Sequence, residues 1–128
     1  MYYHEDWLMR QIEAMVSAII SVIFHTSPKS EEIGTEIGIS DTVDSGRRDT
    51  VVAFLQKGEI CEAENWLYEN MNGDDISWLN TAVYFYSKIN ELSDEYLAAH
   101  DFSREEIASG LSEACGLYGF GWLFNNLQ

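Results

Sequence analysis

Histidines, cysteines and paired carboxylates are the side chains through which this chain could do chemistry, and their spacing can be read directly. Two short clusters, His4-Glu5-Asp6 and His100-Asp101, set imidazole beside carboxylate. A metal ion needs ligands that converge, and adjacent residues on a helix or turn point apart. Neither cluster has the i, i+4 or H-E-x-x-H spacing that aims two side chains at one ion. Both read as terminal or turn residues in solvent. His25 ends an apolar stretch, where an imidazole carrying partial positive charge meets a helix dipole favourably, so capping is its expected role. Neither a metal nor a cofactor is expected.

Carboxylates occur side by side at Glu31-Glu32, Asp74-Asp75, Asp94-Glu95 and Glu105-Glu106. Each pair falls in a loop or at a helix start, where acids cap the backbone and oppose the dipole. Acid/base catalysis needs burial to raise a carboxyl pKa, and these positions read as exposed. Glu62 and Glu64 flank Ala63 on a helix; a solvated face is the expectation, with a groove as the alternative. Cys61 and Cys115 each sit in a helical stretch among small or apolar neighbours and read as small buried hydrophobes, with no C-x-x-C to suggest redox work. No G-x-S-x-G, no Cys near a plausible His and no phosphate-cradling glycine run is present, so an enzyme has no support in the motifs.

The elements that would carry these residues come from periodicity. The run Thr50 to Met71, TVVAFLQKGEICEAENWLYENM, joins two helical stretches at one glycine, Gly58, and so spells an antiparallel hairpin with almost no loop. Its first helix spans about Arg47 to Lys57 with Val51, Phe54 and Leu55 inward. Its second starts at Glu59 with Ile60, Ala63, Leu67 and Met71 on one face, and ends at Gly73. Upstream, a helix from about Asp6 to His25 carries Leu8, Ile12, Met15, Ile19 and Ile23, widened by Met9, Val16, Ile20 and Phe24 into a stripe that the domain or another chain must cover. Downstream, Asp74 or Asp75 caps a helix bearing Trp78, Leu79, Ala82, Val83, Phe85, Tyr86, Ile89 and Leu92. Ser93 caps a short helix. Ser103 and Glu106 form a capping box, with Phe102 and Ile107 as its hydrophobic staple, and that last helix breaks at Gly119 and Gly121. The tail FGWLFNNLQ is too apolar to float free.

No stretch alternates like a strand for more than four residues. The fold class is all-α, with five to six helices in antiparallel hairpins, in a single domain over residues 1–128. Residues 26–46, with Pro28, Gly34, Gly38 and Gly46 and no periodicity, read as a long loop or disordered linker.

Charge narrows the partners. Seven basic residues against 22 acidic ones give a net charge of −15. Such a field repels phosphate backbones, so nucleic acid is not an expected partner. The acidic N-terminus lacks the basic start of a signal peptide, and Ala14 to Phe24 is too short to span a bilayer, so neither secretion nor stable membrane insertion is expected and the chain reads as cytoplasmic.

Two resemblances add to this reading. In the hairpin, Ala63 followed by Leu67, with Phe54 on the preceding helix, resembles a tetratricopeptide unit, though Arg47 stands where that family has tryptophan and Val51 where it has a small residue. The blocks EDWLMRQIEAM, KGEICEAENWLYE and YSKINELSDEYLAAHDFSREEI resemble a family of small acidic helical proteins from Firmicutes classed as a domain of unknown function. The resemblance implies a cytoplasmic bacterial protein built from helical hairpins, and it brings no activity or functional residue with it.

The functional expectation is a non-catalytic helical module for protein-protein interaction, with another protein or with a second copy of itself. Trp7, Trp66, Tyr68, Tyr84 and Trp122 are the candidate contact residues: several fall off the apolar stripes, where either a second layer of helices covers them or, left on a surface, they mark contact sites. The alternative is a small-ligand-binding protein or enzyme with a pocket between helices, lined by Trp66, Tyr84 or Trp122 and one or two acids.

Overall fold

A computed structural model describes residues 2–24 and 43–124. It contains six α-helices: α1 (Tyr2–Phe24), α2 (Ser45–Gln56), α3 (Ile60–Asn70), α4 (Ile76–Ile89), α5 (Asp94–Ala99) and α6 (Arg104–Leu117), followed by a 3-10 helix, η1 (Gly121–Phe124). No strand occurs among the described residues, so the protein is all-α.

Helix ends are set by local chemistry. Asp44 accepts a hydrogen bond from the Arg47 amide at 3.1 Å, Asp75 from Ser77 at 3.0 Å, Ser93 from Tyr96 at 3.0 Å and Ser103 from Glu106 at 3.2 Å. Of the acids at 74 and 75 it is Asp75 that caps α4. Three helices stop in the same way. After α2 the Glu59 amide bonds Phe54 O at 2.9 Å, after α5 Phe102 bonds Leu97 O at 2.9 Å, and after α6 Phe120 bonds Cys115 O at 2.8 Å. Each such stop turns on one residue at positive φ: Gly58 at 73°, Asp101 at 59° and Gly119 at 83°. Gly58 closes the hairpin that its position predicts. Asp101 does the same work without glycine's freedom.

Helix α3 ends at Asn70, three residues before Gly73, and two helix starts also differ from the sequence expectation. Helix α1 begins at Tyr2 instead of Asp6, since no Gly or Pro interrupts residues 2–6. Helix α2 begins at Ser45 instead of Arg47, because Asp44 supplies the cap and Val43, 7% exposed, is already packed in the core. The last residues of the segment 26–46 therefore belong to the folded body, while 25–42, His25 among them, lie outside the described residues.

Helix α4 is the centre of the domain. Every residue from Leu79 to Tyr86 is buried, and it packs against α1, α2, α3 and α6. Most of the described stripe on α1 is covered by the chain's own α4 and α6: Leu8, Ile12, Met15, Val16 and Ile19 are buried, while Met9 and Ile20 are half-buried. Burying a large apolar side chain stabilises by about 1.5–3 kcal/mol, and the intramolecular site already realises this gain.

The N-terminus of α6 is fixed by a buried cation. Arg104, 4% exposed, donates from Nη1 to Asn90 O at 2.7 Å and Asn90 Oδ1 at 2.9 Å, and from Nη2 to Leu92 O at 2.6 Å. Its Nε reaches Asp94 Oδ1 at 3.0 Å. Asn90 in turn donates to Met9 O at 3.3 Å, so one guanidinium ties α6 to the α4–α5 turn and, through Asn90, to α1.

Candidate interaction surface and acidic groove

The five aromatics singled out by sequence fall into three environments. Trp66 is half-buried in a ladder across three helices, 5.9 Å from the Phe54 ring and 5.3 Å from that of Trp78, with the Arg47 guanidinium 3.9 Å over Trp78. Arg47 is held there by Ser77 Oγ at 2.5 Å and by Asp75 at 3.9 Å. Tyr84 is only 4% exposed and belongs to the core, because α4 is covered on all sides where it stands. Tyr68 is half-buried, and its hydroxyl donates to Gly110 O at 3.2 Å. Trp7 and Trp122 are the two that remain largely exposed, at 56% and 60%.

Trp122 has company. The other strongly exposed apolar side chains are Leu117, Ile76 and Tyr96. An ideal Cβ on Gly73 would stand 2.8 Å from Leu117 O, and one on Gly121 would stand 3.5 Å from Gly116 Cα. The turn before α4 and the start of η1 therefore both approach the end of α6, so Ile76, Leu117 and Trp122 lie on segments that meet at that end of the bundle. Gly116, beside Leu117, and Gly119 face open space: a Cβ on either would meet nothing within 4 Å. The result is an end of the bundle where exposed apolar side chains stand near open backbone.

A second feature lies between α3 and α6. A groove of about 210 Å³ is lined by Glu64, Tyr68, Glu106, Ser109, Gly110 and Glu113. Beneath it Tyr86, fully buried on α4, donates its hydroxyl hydrogen to Glu64 Oε2 at 2.5 Å, and its oxygen lies 3.5 Å from the Tyr68 hydroxyl. Gly110 allows this approach, since an ideal Cβ there would come within 2.7 Å of Tyr86 Cε1. Burial pushes the Glu64 carboxyl above its ordinary range, the Tyr86 hydrogen bond opposes that rise, and repulsion from Glu106 and Glu113 adds to it. Burial and the neighbouring carboxylate likewise push the Tyr86 phenol up, so it remains a donor. The groove aromatics are thus Tyr68 and Tyr86, in place of the Trp66, Tyr84 or Trp122 expected for a pocket. Glu64 faces a groove, where the sequence reading favoured solvent.

Reactive groups elsewhere are occupied. The His100 ring stacks on Tyr96 at 4.1 Å, and its Nδ1 lies 2.8 Å from Tyr96 O. Both cysteines are free; Cys115 is buried, which pushes its thiol up to about 12, and Cys61 is half-buried against the carbonyls of His100 and Asp101. No group of three or more His, Cys, Asp or Glu among the described residues could hold a metal ion. No described helix is long and apolar enough to cross a membrane.

Arg104 and the Glu64–Tyr86 pair were not singled out in the sequence, although signals were present. Arg104 places a cation in the first turn of a helix, against the dipole, and Gly110 sits mid-helix, where glycine is unfavourable without a packing reason.

Fold and surface together define a small all-α module of helical hairpins with an apolar end and an acidic flank. The chain belongs to the family described as Family of unknown function (DUF6483), which it matches over residues 2–119. No curated protein and no solved structure matches it.

Proposed function

We propose that this protein is a non-catalytic module that binds another protein through the apolar end of its bundle. One observation carries the reading: Ile76, Leu117 and Trp122 stand exposed on segments that meet at the end of α6, beside the open backbone of Gly116 and Gly119. An exposed tryptophan with apolar neighbours is the composition of an interface anchor. A partner of different sequence fits better than a second copy, since two chains of charge −15 repel while a basic partner is drawn in. The packing of Phe54 and Trp66 across the α2–α3 hairpin supports a tetratricopeptide-like arrangement, a design suited to presenting surfaces. Two free thiols support a reducing compartment, and a bacterial cytoplasm is the setting we assign.

The test uses two variants that change this end of the bundle from opposite directions. Trp122→Ala removes an apolar side chain, whereas Gly116→Gln adds a polar one over open backbone, where a Cβ meets nothing within 4 Å. Affinity capture from the native cells should retain a basic protein on the wild type and lose it with both variants. Light scattering should show a monomer throughout. Capture unchanged by both variants, or a dimer that both dissolve, would refute the heterotypic reading.

A further inference from the structure

The Glu64 network occupies a position that the binding surface does not use. Four polar atoms from three helices stand in a row: Glu64 Oε2 on α3, Tyr86 Oη on α4, Tyr68 Oη on α3 and Gly110 O on α6. The row runs along the groove that Glu64, Tyr68, Ser109 and Gly110 line together, and the Tyr68–Gly110 bond crosses it from α3 to α6. We propose that Glu64 is a proton-operated latch between α3 and α6, drawing the two helices together when protonated and holding the groove open when ionised.

The groups facing Glu64 set the direction. Tyr68 from its own helix and Tyr86 from α4 are hydroxyls; Glu106 and Glu113 from α6 are acids, and Ser109 and the Gly110 carbonyl complete the lining. No cation is among them. Ionised Glu64 accepts the Tyr86 hydrogen bond while its charge faces two further carboxylates across the groove, and like charges there favour separation. Protonation changes two things together. It removes that repulsion, and it gives the carboxyl an O–H that can donate across the groove to a carboxylate of α6. Tyr86 keeps its own proton in both states, so the switch rests on Glu64 alone. Gly110 makes closure sterically possible, since a larger residue would keep α6 away from Tyr86.

The sign follows from linkage. A carboxyl held above its ordinary value in the folded chain binds its proton more tightly folded than unfolded. The gain is therefore present at low pH and lost as pH rises through the folded value. Other acids respond in the same direction in a chain of charge −15, so the controls must isolate Glu64.

Carbon-detected NMR of the full chain, with the Glu64 carboxyl assigned by its loss in Glu64→Gln, should give a midpoint above the ordinary 4.5. Amide exchange in α3 and α6, corrected for intrinsic rates, should be slower at about pH 4.5 than at about pH 7.5, because the proton is taken up as pH falls through the folded midpoint. Glu64→Gln, which keeps an acceptor for Tyr86 without the charge, should show the slow rates at both pH values. A midpoint at or below 4.5 overturns the proposal. So does pH-independent exchange in the wild type, or a Gln variant that keeps the wild-type pH response.

Discussion

Removing the Arg104 guanidinium tests whether one buried side chain joins three parts of this domain. Its two terminal nitrogens serve Asn90 O, Asn90 Oδ1 and Leu92 O at 2.6–2.9 Å, and its side chain is 3% exposed. Arg104→Ala leaves these acceptors without their donor in a site that water enters poorly. A buried acceptor left unpaired costs about 1–3 kcal/mol, and relaxation around the smaller side chain recovers part of the sum, so about 3–5 kcal/mol is expected. For a chain of this length that corresponds to a fall in Tm of roughly 10–20 °C. The ionic partner should matter far less: Asp94 is 43% exposed, and Asp94→Asn keeps an oxygen for the 2.9 Å contact, so it should cost about 1 kcal/mol or less. Arg104→Lys should fall between the two, since one ammonium cannot span Asn90 and Leu92 together. Urea unfolding followed by circular dichroism, with linear extrapolation, measures all three. If Asp94→Asn matched Arg104→Ala, the anchor would be the ion pair, and the argument from backbone carbonyls would be wrong.

Further predictions concern helix ends and thiols. Gly58→Ala should destabilise by about 1–2 kcal/mol, because a Cβ at φ 73° is strained and would meet His100 Nε2 at 2.8 Å. Asp101→Gly should act oppositely and stabilise by up to about 1 kcal/mol, since φ is 59° and the left-handed turn no longer opposes a side chain; a loss of stability would show that the Asp101 side chain has a role of its own. Ser103→Ala should cost about 1 kcal/mol through the lost bond to the Glu106 amide, read from the same unfolding curves. Cys115 should resist alkylation in the native chain, with burial raising its thiol to about 12, and a rate equal to that of the unfolded chain would contradict its buried position.

Periodicity made the fold legible because most of its apolar contacts are between whole faces. The α1 stripe, the Gly58 hairpin, the Ser93 and Ser103 caps and the staple of Phe102 with Ile107, both buried, all appear where spacing places them. Burial of the off-stripe aromatics was harder to read. Tyr84 lies off the strongest stripe of α4, yet this helix is surrounded by four others, and a helix covered all round has no outer face for a stripe to distinguish. The cover over Trp66 comes from outside its own helix: its neighbours Phe54 and Trp78 belong to two other helices, and no spacing within α3 announces them.

The acidic groove marks the other boundary of sequence reading. Glu64 looks like any polar residue on a helix whose opposite face carries Ile60, Ala63 and Leu67, and only the packing of α4 brings the Tyr86 hydroxyl to 2.5 Å from it. Its environment is then written by α6, some forty residues downstream, through Glu106 and Glu113. Gly110 is the residue that connects the two. A glycine at the centre of a helix costs about 1 kcal/mol against alanine, and here that cost admits a tyrosine hydroxyl to the helix backbone. An unfavourable residue kept in a regular element therefore points to a close approach from elsewhere, and in this chain it points to a place where a half-buried acid, two tyrosines and three helices meet.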